Sequence, residues 1–150
     1  MPPTRRLSMA QIRLGLLGAG FLHDFYMQAL REIPAVEVVA VATQTEPSAK
    51  RFASKWGLPR AEWGNDALEK LCSSPDLDAI SVALPNDLHL PAVKLAAENG
   101  KHVICEKPLG RNLAEAKAIL HDAEKAGILH GYAENQAFFP LHLHAFETIK

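Results

Sequence analysis

The stretch IRLGLLGAGFLHDFYMQALR, residues 12 to 31, decides how this chain is read. Ile12 to Leu17 reads as a strand buried on both faces, Gly18 and Gly20 as a turn, and Phe21 to Arg31 as a helix that ends near Pro34. A buried strand, a glycine turn and a helix in direct succession form the first half of a strand-helix-strand unit. Parallel sheets are built from such units.

The alternation continues outward. Val36 to Ala42 (VEVVAVA) is a second strand, rich in valine as buried parallel strands are. Pro47 to Trp56 is helix-sized, with Pro47 suited to a first helical position and Gly57 to a C-terminal cap. Ala61 to Trp63 is a weak strand and Asp66 to Cys72 a short helix. Ala79 to Leu84 (AISVAL) is a strand stopped by Pro85, Pro91 to Asn99 a helix stopped by Gly100, and Lys101 to Cys105 a strand. Asn112, with Glu115 three residues on, resembles a capping box. Leu113, Ala116, Ile119, Ala123 and Ala126 then recur at helical spacing before Gly127. Ile128 to Ala133 closes as a sixth strand, and Pro140 to Lys150 reads as a last helix. The fold class expected is α/β, a doubly wound, mostly parallel, Rossmann-like sheet. Residues 1–11 read as a flexible leader, 12–135 as one domain, and 136–150 as the start of a connection to a second domain outside this chain.

Composition agrees with one ordinary globular domain: 150 residues, 48% apolar and 22% charged. Sixteen Lys plus Arg against seventeen Asp plus Glu leave a net charge of −1. That balance favours neither nucleic acid nor an anionic membrane as partner. No apolar run is long enough for a transmembrane helix. Arg5 and Arg6 suggest an export signal, but no separate apolar region and cleavage site follow; MPPTRRLS reads better as a tail, with Met9 an alternative start. Cys72 and Cys105 stand far apart in apolar settings, giving no disulfide framework or zinc site and favouring a reducing, cytoplasmic compartment. His142 and His144, two apart on a helix, point to different faces and make a poor metal pair. His102, His121 and His130 read as structural or exposed, and no metal is expected.

The chemistry is written first at the glycine turn. Gly18 can make the tight bend, and Gly20 lets the backbone approach a pyrophosphate seated on the amides of the following helix, so Phe21 and Leu22 join the candidate binding residues. The third glycine of the dinucleotide fingerprint is replaced by His23, whose ring either points out of the helix-strand seam or pushes the helix away. The surface reading is the expectation. At the end of the second strand, where an acidic residue usually meets the adenosine ribose, stand Thr43, Gln44 and Thr45. A neutral hydroxyl gives about 0.5–1.5 kcal/mol where a charged partner gives about 1.5–3. Nothing there repels a 2′-phosphate, and Lys50 or Arg51 could lie near one, so NAD and NADP both remain open as cofactors.

Two later stretches, DAISVALPNDLH (residues 78 to 89) and GKHVICEKPL (residues 100 to 109), together with GYAENQAFFP (residues 131 to 140), resemble the signatures of the Gfo/Idh/MocA family of NAD(P)-dependent oxidoreductases. The resemblance runs from Ile12 to Pro140. It implies that Lys107, of the EKP motif, stands beside the nicotinamide and the reacting hydroxyl as the catalytic residue, in a loop fixed by Glu106 and Pro108. It further implies that Leu84, Pro85, Asn86 and His89 lie along the nicotinamide side of the cleft, and that Asn135 enters at the seam between two domains. The family often has Arg two positions after Asn135; here Ala137 stands there.

Hydride leaves a carbinol carbon as its hydroxyl loses a proton, so such a site needs a group to take or steer that proton. Lysine does so as the free amine, a form favoured beside a cationic ring and opposed by a carboxylate as close as Glu106. Read without the family, Lys107 is an exposed loop lysine, and His89 is equally a residue capping its own turn. Two function classes follow: the cofactor half of an oxidoreductase acting on a sugar, polyol or related alcohol, and a lone module that binds a dinucleotide without turnover. In a third reading, His23 and the missing acid at Thr43 have abolished binding. Homo-oligomers are expected only with the further domain.

Overall fold

The computed structural model describes residues 11–149, with Ala137 in its backbone alone. The leader, the twin arginines, Met9 and Lys150 lie outside the described residues. The elements are β1 (Ile12–Leu17), α1 (Phe21–Leu30), β2 (Val36–Thr43), α2 (Glu46–Trp56), β3 (Arg60–Trp63), α3 (Ala67–Cys72), β4 (Ala79–Val82), α4 (His89–Glu98), β5 (His102–Glu106), α5 (Leu113–Ala126), β6 (His130–Ala133) and α6 (Pro140–Thr148). Short 3₁₀ turns at Asn86–Leu88 and Asn135–Phe138 precede α4 and α6.

The strands form one six-stranded sheet in the order β3-β2-β1-β4-β5-β6. Every pairing is parallel, so the expected mostly parallel sheet is wholly so. Right-handed crossovers send the two halves of such a sheet to opposite faces. One core cluster accordingly joins Leu14, Leu16 and Val41 to Met27 of α1 and Phe52 of α2. The other joins Leu17, Ile80, Val82, Val103 and Cys105 to Leu71 of α3, Val93 of α4 and Ile119 of α5. Each fully buried Leu, Ile or Val stabilises the fold by about 1.5–3 kcal/mol. Because the strand order reverses between β1 and β4, a crevice opens at the carboxyl edge there.

Local chemistry fixes the elements. Asp78 accepts from the backbone N–H and guanidinium of Arg13, which ties the start of β1 to that of β4 and holds the Asp78 carboxyl well below the usual carboxylate range. Gly15 is closely packed: a Cβ there would lie 2.7 Å from Leu77 Cδ1, so the Leu77 side chain would have to shift to admit one. Pro47 sits in the first turn of α2, and Gly57 ends that helix in the left-handed region at φ 69°.

Several local expectations are corrected. Asn112 caps α5 by accepting from Glu115 N–H, but the Glu115 carboxylate reaches past it to the N–H and guanidinium of Arg111, so the box is not reciprocal. Leu113 and Ala126 lie exposed at the ends of α5, and only Ile119 and Ala123 of the apolar series are buried. Strand β6 begins at His130, two residues late, because Ile128 N–H is held by Ala123 O in the cap of α5.

Candidate functional site

Leu17 and Val82, both fully buried, end β1 and β4 side by side. The chain leaving β1 must turn at once, and Gly18 does so at φ 107°, in the left-handed region. A Cβ on Gly18 would fall 2.3 Å from Ala83 O, so only glycine fits. At Gly20 the requirement differs. Its φ of −90° suits any residue, and an added Cβ would meet no protein atom within 4 Å. Gly20 caps α1 without a side-chain hydrogen bond, which leaves the first amides of α1 free beside open space. That space and those amides fit a pyrophosphate.

A cleft of about 720 Å³ opens over this turn. Its lining runs from Gly18, Ala19, Gly20, Thr43, Gln44 and Ser48 through Gly64, Asn65 and Leu68 to Ala83, Leu84, Pro85, Asp87 and Leu88. Of the sequence-predicted residues, Gly18, Gly20, Thr43, Leu84 and Pro85 thus meet in one cleft. Phe21 lines an adjoining hollow of about 300 Å³ with Gly20, Asp24, Arg51 and Lys55. Leu22 and Asn86 are exposed outside both linings, and Asn135 is exposed at the start of the turn after β6. Of the two cations named from sequence, Arg51 faces this hollow, whereas Lys50 pairs with Glu46 at 2.5 Å and lies over Trp63.

His23 overturns the surface expectation. It is fully buried in the seam between α1 and the sheet, with Nδ1 2.7 Å from Gly18 O and Nε2 2.9 Å from Ser81 Oγ. Gly18 O only accepts, so Nδ1–H donates to it and Nε2 accepts from the Ser81 hydroxyl, which assigns the neutral tautomer. Burial holds the ring neutral, its pKa pushed down from 6.5 to about 4. The ring neither points outward nor obstructs the cleft; it holds the carbonyl of the turn itself.

His89 does not cap its own turn. It too is buried, with Nε2 3.0 Å from Leu84 O and Nδ1 3.0 Å from Pro108 O and 3.3 Å from Leu109 O. Glu106, at the end of β5, is 4% exposed; it accepts from the Tyr26 hydroxyl of α1 and from Lys107 N–H. Among the described residues, its carboxylate forms no ion pair with the Lys107 ammonium. Lys107 itself is exposed, and the Lys107–Pro108 peptide is cis.

Sequence reasoning missed Tyr26, Ser81, Ser48 and Asp87. Ser81 had a signal, being the single polar residue within the apolar run AISVAL. Tyr26 had a weaker one, three positions after His23 and hence on the same helix face. Cys72 and Cys105 are free, buried thiols whose pKa values burial pushes up to about 12. Among the described residues there is no cluster of metal-ligating side chains and no helix long and apolar enough to cross a membrane.

A doubly wound parallel sheet, a glycine turn under a crevice at its point of strand reversal and free helix amides define a dinucleotide-binding fold. Residues 12–133 match the family described as "Oxidoreductase family, NAD-binding Rossmann fold", and the chain belongs to this Gfo/Idh/MocA family. It is 34% identical over 130 residues to trans-1,2-dihydrobenzene-1,2-diol dehydrogenase of Xenopus tropicalis, a match covering 85% of this chain and 38% of that protein. A crystal structure of an NAD binding oxidoreductase from Klebsiella pneumoniae superposes with a TM-score of 0.83 at 32% identity, over 93% of this chain and 38% of that one. KijD10, a 3-ketoreductase from Actinomadura kijaniata solved with NADP and TDP-benzene, gives 0.81 at 30% identity, over 93% and 42%. The chain therefore spans well under half the length of the relatives it matches.

Proposed function

We propose that this chain supplies the cofactor half of an NAD(P)-dependent oxidoreductase that moves hydride between the nicotinamide and a carbinol carbon of a sugar, polyol or related alcohol. The observation that carries the reading is the cleft lined by Gly18, Gly20, Thr43, Leu84 and Pro85 at the carboxyl edge of the sheet. The dinucleotide, when bound, supplies the hydride acceptor or donor. The chain's own residues do the rest. The amides of α1 hold the pyrophosphate, Thr43 and Gln44 meet the ribose, and Lys107 takes or steers the proton of the substrate hydroxyl. Glu106 fixes the loop through the Lys107 amide and, with its carboxylate turned to Tyr26, leaves the ammonium free to face a substrate. Asn86, His89 and Asn135 belong to the nicotinamide end of this arrangement, His89 from behind the wall. NADP is accepted as well as NAD, since Thr43, Gln44 and Thr45 put no carboxylate at the end of β2 and Arg51 faces the adjoining hollow.

The protein works in the cytoplasm, a setting that suits two free buried thiols. Residues 12–135 form the binding domain and 136–150 begin the connection to a substrate domain, which is also the expected seat of any oligomer contact. Exposed Phe139, Leu141, Phe146 and Ile149 in and around α6 support that connection. One observation favours a second reading, a module that binds without turnover: the match covers 38% of the Xenopus enzyme. Following reduced-nicotinamide absorbance of this chain with diols, inositols and aldopentoses separates the two. Sustained substrate-dependent change supports the enzyme; saturable binding without it leaves the module.

A further inference from the structure

We infer that His89 is a positioning residue that sets the place of Lys107 and couples it to the wall of the cofactor cleft. This rests on the proposed role of Lys107 beside the nicotinamide. Three carbonyls converge on one buried ring: Leu84 O, from the cleft wall, on Nε2, and Pro108 O and Leu109 O, from the loop after Lys107, on Nδ1. Carbonyl oxygens only accept, so a neutral ring, with its single N–H, donates to one loop and packs against the other, and an imidazolium donates to both. The turn Asn86–Leu88 brings the chain round so that His89, first residue of α4, projects back under the two loops.

The consequence for Lys107 lies in what stands on either side of it. Glu106, one residue before, is buried and held by Tyr26; Pro108, one residue after, is within 3.0 Å of the His89 ring. Lys107 is therefore an exposed side chain on a backbone anchored immediately before and after. A flexible lysine of this kind gains a defined location only from such anchoring, because its own long side chain brings much rotamer entropy. Since the same ring also faces Leu84 O, a dinucleotide pressing on Leu84 and Pro85 acts on the loop that carries Lys107.

A cation beside the nicotinamide disfavours the positively charged oxidised ring relative to the neutral reduced one, so the ratio of dissociation constants, oxidised over reduced, reports where the ammonium sits. The test measures that ratio for NADP⁺ and NADPH by calorimetry on this chain, as Lys107→Met, His89→Gln and the double variant. Lys107→Met is expected to lower the ratio about fivefold, the effect of one nearby charge in a largely solvated site. His89→Gln is expected to lower it in the same direction, and the double variant no further than Lys107→Met alone, since both act through one ammonium.

If His89→Gln weakens both redox forms equally, His89 is a structural histidine and the inference fails while the role of Lys107 stands. If Lys107→Met leaves the ratio unchanged, Lys107 is not beside the ring, and the inference falls together with the reading beneath it. Should His89→Gln fail to fold, the unsubstituted chain still decides. A His89 ring N–H that exchanges slowly and shifts on saturation with NADPH supports the clamp; one averaged with water, or unmoved by the cofactor, overturns it.

Discussion

His23 and His89 are both fully buried histidines in the first turns of helices, α1 and α4, and they do different things. His23 donates to one carbonyl and accepts from one hydroxyl, closing a seam between a turn and the neighbouring strand. His89 faces only carbonyls, which belong to two loops of the carboxyl edge. A histidine's role is thus set by the balance of donors and acceptors around it, and burial alone does not distinguish a seam from a clamp. The first histidine shapes the cleft wall at Gly18, the second at Leu84.

The strongest way to break this division is at the carbonyl that His23 holds. Gly18→Ala forces a φ of 107° on a residue whose Cβ meets Ala83 O. We expect a loss of about 3–5 kcal/mol in denaturant unfolding and of dinucleotide binding with it. Near-wild-type stability would show that the turn is not held as described.

Next is acid. The folded-state pKa of His23 lies at about 4, below its ordinary 6.5, so the unfolded chain takes up more protons between these values. The His23 contribution is complete above pH 6.5 and is lost as pH falls toward 4, about 3 kcal/mol in all. Asp78, held low by Arg13, adds its own loss only below the ordinary carboxylate value of 3.8. Unfolding measured from pH 7 to 4 should show this slope in the wild type and a flattened one in His23→Gln. Equal slopes would assign the acid sensitivity elsewhere.

Tyr26→Phe removes the hydroxyl that donates to buried Glu106 and should cost about 1.5–3 kcal/mol while leaving the His23 pH slope unchanged. A thermal melt at two pH values checks both. Arg51→Gln is the mildest change, expected to weaken NADP about fivefold and NAD not at all, without altering the ratio of oxidised to reduced binding. A loss shared equally by both cofactors would remove Arg51 from the 2′-phosphate.

Most of the fold was legible because period and punctuation agree. The valines of β2, the glycine turn after β1 and Gly57 and Gly127 after α2 and α5 each act locally, within a few residues. The glycine end of the site was equally legible, since strand, turn and helix are contiguous. The two histidines were not, because their partners lie elsewhere in the chain: Ser81 is 58 residues from His23, and Pro108 19 from His89. Tyr26 and Glu106, 80 apart, meet only once the sheet has assembled. Sequence lists the donors; the fold decides which acceptors they find.

Whether the cleft over Gly20 holds a nicotinamide dinucleotide is decided by calorimetric titration of the chain and of Gly20→Ala with NAD and NADP. Gly20 has an ordinary φ of −90° and open space where a Cβ would go, so the variant should fold and lose no more than about 1 kcal/mol, the cost of a poorer N-cap. The wild type should bind saturably, and Gly20→Ala about tenfold or more weakly, as the added methyl takes the space of the pyrophosphate. A folded wild-type chain that binds neither cofactor, or a Gly20→Ala variant that binds as tightly as the wild type, would contradict this assignment of the cleft.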